Sequence, residues 1–261
     1  MEIPLFPLHT VLCPGIVLPL HVFEERYRAM TRRCLDSGEP FGVVLIRDGR
    51  EVGSKRVATL AGVGAFVEIR EAGRYPDGRY DLLGAATGRF AIDSVDAQKE
   101  PYLVAEVTPL DDEVGDEPRA ERLAALAISR FVRYLDLMRA REGETSETLD
   151  IRVEVEAPGA GPDPDAPSGP PEPQFAAGAG TPGPPTRRDL DIPDDPTVLS
   201  YLLSGIVQIE LPRRQALLEA STTVERLEGL VAVLERELTL LRRRLRFFSP
   251  DPTSVSGARR S

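Results

Sequence analysis

The sequence predicts an α+β protein: a small β barrel or sandwich carrying one early helix, followed by an all-helical part. Three observations predict it. Short apolar strands punctuated by Pro and Gly fill residues 1–115. Apolar residues then recur at helical spacing over 116–141 and again over 195–248, and a Pro- and Gly-rich stretch separates these two runs.

Taken in order, Pro4-Leu5-Phe6-Pro7-Leu8 reads as an extended edge segment, because proline withholds an amide donor and is tolerated mainly at sheet edges. Pro14-Gly15 is a turn, and Leu18-Pro19-Leu20 begins a second extended segment. Phe23, Tyr27, Met30 and Cys34 recur at helical spacing, which predicts an amphipathic helix ending near Gly38. Phe41 to Ile46 is a buried-type strand, and Asp48-Gly49 after it is a hairpin signal. In the next strand Val63, Ala65, Val67 and Ile69 are expected to share one face. A loop with Pro76-Asp77-Gly78 leads to strands at Tyr80–Leu83, Phe90–Ile92 and Tyr102–Val107.

Asp116 and Pro118 open a long helix expected to pack on the barrel, with Ala124, Ala127, Ile128, Phe131, Leu135 and Met138 on its apolar stripe. Residues 157–186 hold 10 prolines and 6 glycines and cannot build a core, so 142–194 is expected to be a disordered linker. Asp195-Pro196 opens the first helix of 195–248, and Pro212 starts a second piece. Thr222 and Glu225 have capping-box spacing. Beyond them Leu227, Val231, Leu234, Leu238, Leu241 and Leu245 form a heptad seam, a coiled-coil pattern that offers a homodimer interface through 224–245. Residues 249–261 are expected to be a disordered tail.

The net charge of −10 disfavours nucleic acid and anionic membrane surfaces as partners. The basic residues that remain clustered are Arg242, Arg243, Arg244 and Arg246, which suit the negative end of a last helix first and a nucleic-acid or partner contact second. Cys13 and Cys34 sit in apolar surroundings without disulfide-like spacing, and the amino end lacks the marks of a secretory leader, so a cytoplasmic protein is expected. No apolar run reaches transmembrane length.

The pattern resembles the Lon N-terminal substrate-binding family, and specifically its stand-alone bacterial members. The residues that carry the resemblance are Pro4, Phe6, Pro7, Pro14, Gly15, Leu20, Phe23, Glu24, Arg26 and Tyr27 in the opening, Asp77 to Tyr80, Arg89-Phe90, Pro101-Tyr102, and then Asp195-Pro196, Leu199 to Leu203, Gln215 to Glu219 and Glu225 to Leu227. Around the Arg89-Phe90 pair the chain departs from the family pattern, with Ala86 and Ala91 where glycine and a basic residue are usual. The resemblance implies a PUA-like β pseudo-barrel followed by an α-helical subdomain. It implies recognition of unfolded or tagged client polypeptides in protein quality control, without an ATPase or peptidase, and leaves room for a separate protease or ATPase as partner.

Chemistry points the same way. Only two lysines are present, Lys55 and Lys99, and neither lies in a phosphate-binding loop. Ser54-Lys55 is adjacent in sequence, which on a strand sends the side chains to opposite faces and argues against a dyad. His9, Cys13, His21 and Cys34 have no paired-ligand spacing for zinc. No catalytic, cofactor or metal residues are therefore expected. Glu24, Arg26 and Tyr27 are expected to fix the first helix against the first strands, and Asp111-Asp112-Glu113 to be solvated loop. An extended peptide is expected to pair with the Pro-limited edge near residues 2–8.

Overall fold

A computed structural model describes residues 1–48, 59–142 and 193–248. In chain order its elements are β1 (Glu2–Leu8), β2 (Val17–Val22), α1 (Glu25–Ser37), β3 (Phe41–Asp48), β4 (Thr59–Leu60), β5 (Val63–Arg74), β6 (Tyr80–Asp96) and β7 (Leu103–Leu110), then α2 (Glu117–Glu142), α3 (Pro196–Ile206), α4 (Leu211–Glu219) and α5 (Thr223–Phe248). The fold is α+β. The order β1-β7-β6-β5-β3 closes on itself because β3 pairs in parallel with β1, while β2 is added to β6 and β4 to β3. Gly49, Ser54 and Lys55, on which the hairpin and dyad readings fell, lie outside the described residues, as does the stretch 143–192.

Closure corrects the first expectation: β1 is no edge. It pairs with β7 through Glu2 to Leu5 and with β3 through Leu5 to Leu8. The two neighbours are staggered, and that explains how a strand with two prolines sits inside a sheet. The amide of Val107 donates to the carbonyl of Met1, so the odd residues of β1 turn their backbone groups to β7 and the even ones turn theirs away. Pro4 therefore lacks its donor on the β3 side before that pairing begins. Pro7 lacks its donor on the β7 side after that pairing has ended. Neither leaves a ladder position unfilled, and residues 3–7 are buried, so this strand offers no exposed edge to an added peptide among the described residues.

Pro14-Gly15 turns as expected, with Gly15 at φ +81° and the amide of Ile16 donating to the carbonyl of Cys13. Helix α1 begins one residue after Glu24 and ends on Gly38 in the left-handed conformation, whose amide caps the carbonyl of Cys34. Tyr27, Met30, Thr31 and Cys34 make its buried face; Phe23 precedes the helix and is 63 % exposed, so it does not belong to that stripe. Tyr27 packs its ring 4.2 Å from Phe6 and carries α1 onto β1, together with Phe41, Val43 and Tyr102 in one cluster. In β5 Ala65, Val67 and Ile69 pack in one cluster and Val63 in another, and Thr87 of β6 is the extra residue of a bulge opposite Phe66 and Val67.

Helix α2 starts on Asp116, whose carboxylate accepts from the amide of Arg119. Its stripe does not pack on the barrel, as its wide apolar face had suggested. Ala120, Ala124, Ala127, Phe131 and Tyr134 pack with Leu199, Leu203, Leu227, Leu230, Leu234, Leu238 and Leu241 of α3 and α5 in a separate helical core. From Leu227 to Leu241 the heptad seam is thereby covered within the chain and is not free for a second copy, while the side chain of Leu245 lies outside the described residues. Asp195 caps α3 through the amides of Thr197 and Val198, and Thr222 caps α5 through the amide of Glu225, whose carboxylate accepts from Ser221 instead of Thr222.

Burial raises the pKa of Cys13 to about 11 and of Cys34 to about 11. Their unfolded-state values lie lower, near 9.0, so above that pH the unfolded chain has lost protons that the folded chain keeps, and stability falls as pH rises. Urea midpoints taken under reducing conditions are expected to drop between pH 8.5 and pH 11. Replacing the fully enclosed Cys13 with valine should remove about 2 kcal/mol of that drop; a flat profile would contradict the assignment.

Candidate functional site

Where barrel meets helices, two arginines close the last turn of α4. Its terminal carbonyls have no partner within the helix, and they carry the negative end of its dipole. Arg89 from β6, 3 % exposed, donates through Nη1 to the carbonyls of Leu218 and Ala220, each at 2.8 Å, and through Nη2 to the carbonyl of Asp111 at 3.2 Å and to Asp112 Oδ1 at 2.9 Å. Arg226 from α5, fully buried, donates to the carbonyl of Leu217 at 3.2 Å and to Ser200 Oγ at 3.1 Å. Its guanidinium lies 3.7 Å from the centroid of the Tyr201 ring, and the Tyr201 hydroxyl donates to Asp112. Asp112 is thus a junction between three elements, although it is exposed in the loop as Asp111 and Glu113 are. Burial is the main cause that pushes the Tyr201 hydroxyl pKa up and the Arg226 guanidinium pKa down. Lateral ties are Gln215 to the carbonyl of Val63 at 3.0 Å and Arg47 to Glu219 at 2.6 Å.

This junction holds α3 over the outer face of the β2–β6 ribbon and leaves a cleft of about 490 Å³ between them. Val17, Leu83 and Ala85 line it from the ribbon, Val198, Tyr201 and Leu202 from α3, and Arg70, Glu71, Thr87 and Asp112 supply polar groups. Val198 is 40 % exposed although it sits on an otherwise buried helix. The lining mixes apolar side chains with charged and hydroxyl-bearing ones, a combination that suits a chain with alternating side chains.

A second feature continues from the far end of the same ribbon. His21 Nδ1 lies 2.6 Å from Asp81 Oδ1, the Tyr75 hydroxyl donates to Asp81 Oδ2 at 2.5 Å, and the Phe23 ring stacks 6.3 Å from His21. Hydrogen bonds from Tyr75 and then His21 hold the Asp81 carboxyl below its ordinary value.

The residues singled out in the sequence fall in three places. Pro14 and Gly15 line the cleft. Pro4, Phe6, Pro7, Tyr27 and Phe90 are buried in the barrel, and Leu20 is partly buried against it. Glu24 and Arg26 pair with each other at 2.9 Å, with Arg26 over the Tyr27 ring, and Tyr27 packs on Phe6 of β1. Arg242 and Arg243 are exposed on the last turns of α5, while the side chains of Arg244 and Arg246 lie outside the described residues. His9, Cys13, His21 and Cys34 are not brought together, and no group of three or more His, Cys, Asp or Glu side chains with metal-binding placement occurs among the described residues. Sequence reasoning met Tyr201 and Arg226 only as parts of the family pattern, Asp112 as loop and Val198 as a helix position, and gave none of them a place in a site. The signal for Arg226 was available: an arginine on the core side of a helix, one residue before Leu227.

The architecture is that of a substrate-recognition module, a barrel and a helical layer enclosing a cleft. Residues 2–236 match the family described as ATP-dependent protease La (LON) substrate-binding domain, and the chain belongs to that family. The match is to this domain and not to a protease or ATPase domain. Among curated relatives, Lon protease of Escherichia coli (strain K12) is 25% identical over 242 residues, covering 92% of this chain and 25% of the relative. Lon protease of Brevibacillus choshinensis is 27% identical over 162 residues, covering 60% of this chain and 20% of the relative. The chain spans about a quarter or less of the length of these relatives. Two solved structures share the fold. The crystal structure of a Lon N-terminal domain protein from Xanthomonas campestris aligns with a TM-score of 0.52 at 23% identity, over 89% of this chain and 98% of that one. The N-terminal domain of Mycobacterium avium complex Lon protease aligns with a TM-score of 0.52 at 17% identity, over 90% and 98%. No helix among the described residues is long and apolar enough to cross a membrane.

Proposed function

We propose that this chain is a non-catalytic polypeptide-recognition module that binds unfolded or tagged client proteins in the cytoplasm and serves protein quality control, with a separate protease or ATPase as the partner that acts on what it holds. The observation that carries the reading is the cleft between the β2–β6 ribbon and α3. Its apolar floor of Val17, Leu83 and Ala85 faces Val198 at a size that admits several residues of extended chain. Family membership supports substrate recognition as the general role. The Tyr201 hydroxyl and Asp112 on the cleft wall are bonded to each other and to the buried arginines, so they shape the wall and are not poised as an acid and a base.

The test is binding of a permanently unfolded protein, reduced and carboxymethylated α-lactalbumin, followed by fluorescence anisotropy. The wild-type chain is expected to bind it. Val198→Asp places a charge on the exposed apolar wall of the cleft and is expected to weaken binding about tenfold, equivalent to about 1.4 kcal/mol, with the urea midpoint unchanged. Wild-type affinity in that variant would remove the cleft from the reading, and absence of binding by the wild type would remove the reading itself.

A further inference from the structure

A free edge of this sheet lies at β2. That strand pairs with β6 and with no other strand among the described residues. The amide of Ala86 donates to the carbonyl of Ile16 at 3.0 Å, and the register continues as Val17 opposite Ala85 and Leu18 opposite Gly84. Antiparallel alternation then turns the backbone groups of Leu18, Leu20 and Val22 to β6 and those of Val17, Pro19 and His21 away from it. The side chains agree with this register: Leu18 and Leu20 pack inward and Val22 is buried, whereas Pro19 and His21 are exposed. Pro19 occupies an outward position, where its missing donor costs the sheet nothing.

We propose that an extended segment of a client polypeptide adds to this edge of β2 as a further strand, its outward side chains resting on Val17, Pro19 and the aromatic cluster of His21, Phe23 and Tyr75. The proposal rests on the polypeptide-recognition reading and gives it a binding mode. The edge offers the amides of Val17 and His21 and the carbonyls of Val17, Pro19 and His21, a row of groups that only an extended backbone can meet in sequence. Val17 lines the cleft, so the row starts there. It runs about 13 Å to His21 and ends on Phe23, 63 % exposed, and Tyr75, 40 % exposed.

The occupant follows from two features. The charges around the cluster are already paired, Asp81 with His21 and Tyr75, and Asp77 with Arg79 at 2.7 Å, so the surface selects an apolar side chain and neither an acidic nor a basic one. A second copy of the chain is a poor occupant. The two-fold β2–β2 register that opposes all three outward residues sets Pro19 against Pro19, and both hydrogen bonds of that central pair are lost. Any other residue opposite Pro19 can still donate to its carbonyl.

The full chain is titrated into a dye-labelled peptide with the core Thr-Phe-Thr-Val-Thr-Phe flanked by lysine pairs, and into two versions N-methylated at the Phe and Val amides or at the Thr amides. Opposed residues of an antiparallel pair share a face, so the apolar residues that rest on the cluster are those whose amides bond to β2. Methylating the Phe and Val amides is expected to weaken binding at least ~10-fold, and methylating the Thr amides by less than ~3-fold. Phe23→Ala and Tyr75→Ala, both at exposed positions, are each expected to weaken the parent peptide about 5- to 10-fold. Equal affinity for the two methylated peptides, or indifference to both alanine variants, would overturn strand addition, and so would a failure to bind the parent peptide. If unfolded α-lactalbumin still binds in those cases, the recognition reading stands without this mode. A dimer in sedimentation that Phe23→Ala dissolves would assign the edge to a second copy instead.

Discussion

Arg226→Ala is expected to destabilise the protein by about 3–5 kcal/mol, the range for removing one partner from a buried ionic network. The side chain is fully buried and its guanidinium binds two other helices at once, through the carbonyl of Leu217 and the hydroxyl of Ser200. Truncation leaves those oxygens without a donor, uncovers one face of the Tyr201 ring, and opens a cavity that the surrounding helices cannot fill. Lysine is not a substitute, because the stack on Tyr201 at 3.7 Å needs a planar group and the fan of bonds needs more than one nitrogen. Arg226→Lys is therefore expected to recover less than half of the loss. Arg89→Ala removes the other arm of the same cap on α4, and the two changes share Ala220 and Asp112 as partners, so their effects should not add. Urea unfolding of the two single variants and the double variant measures the coupling. A loss below 1 kcal/mol for Arg226→Ala would show that water satisfies these groups and that the junction does not hold the helices to the barrel.

The parts of the fold that were legible in the sequence are those fixed within a few residues. Pro14-Gly15 encodes its turn, and Asp116, Asp195 and Thr222 encode their helix starts, because each satisfies backbone donors two or three positions away. What could not be read locally depends on which strand lies next to which. Pro4 and Pro7 carry the same signal whether a strand is at an edge or is flanked by neighbours that are offset along it, and here the stagger of β7 and β3 decides. Phe23 matched the helical spacing of Tyr27 but falls on the residue before the cap position Glu24, so the period was right and the phase of the start was wrong. The stripe of α2 was read correctly as buried, yet its partner was not, because apolar periodicity says that a face is covered without saying by what. For the candidate site the same limit holds more strongly. Its cleft walls come from residues more than a hundred positions apart, Val17 and Val198, and Asp112 differs from Asp111 and Glu113 only in what the fold places beside it.

Phe90→Ala is expected to cost about 3–5 kcal/mol, the loss for emptying a fully enclosed aromatic site, and the glycines around it allow a sharper test than the loss alone. Phe90 is 0 % exposed, and its ring occupies space that two glycines on neighbouring strands leave open. A β-carbon on Gly42 would lie 2.6 Å from the ring, 2.8 Å from Ile3 Cδ1 and 2.9 Å from Leu5 Cδ2, all ends of side chains. A β-carbon on Gly64 would lie 2.5 Å from the ring but also 2.6 Å from the carbonyl oxygen of Val43, which belongs to the paired backbone of β3. Gly42→Ala and Gly64→Ala should each cost about 1–3 kcal/mol as overpacking, and their responses to Phe90→Ala should differ. With the ring gone the Gly42 methyl enters the vacated space, so the double variant should cost less than the sum of its parts by about 1 kcal/mol. At Gly64 the carbonyl stays where it is, and the double variant should come close to additivity. Equal rescue at both positions would show that the β3–β5 ladder yields and that the barrel is more compliant than a closed ring of strands implies; rescue at neither would mean that Phe90 does not fill the space between these strands.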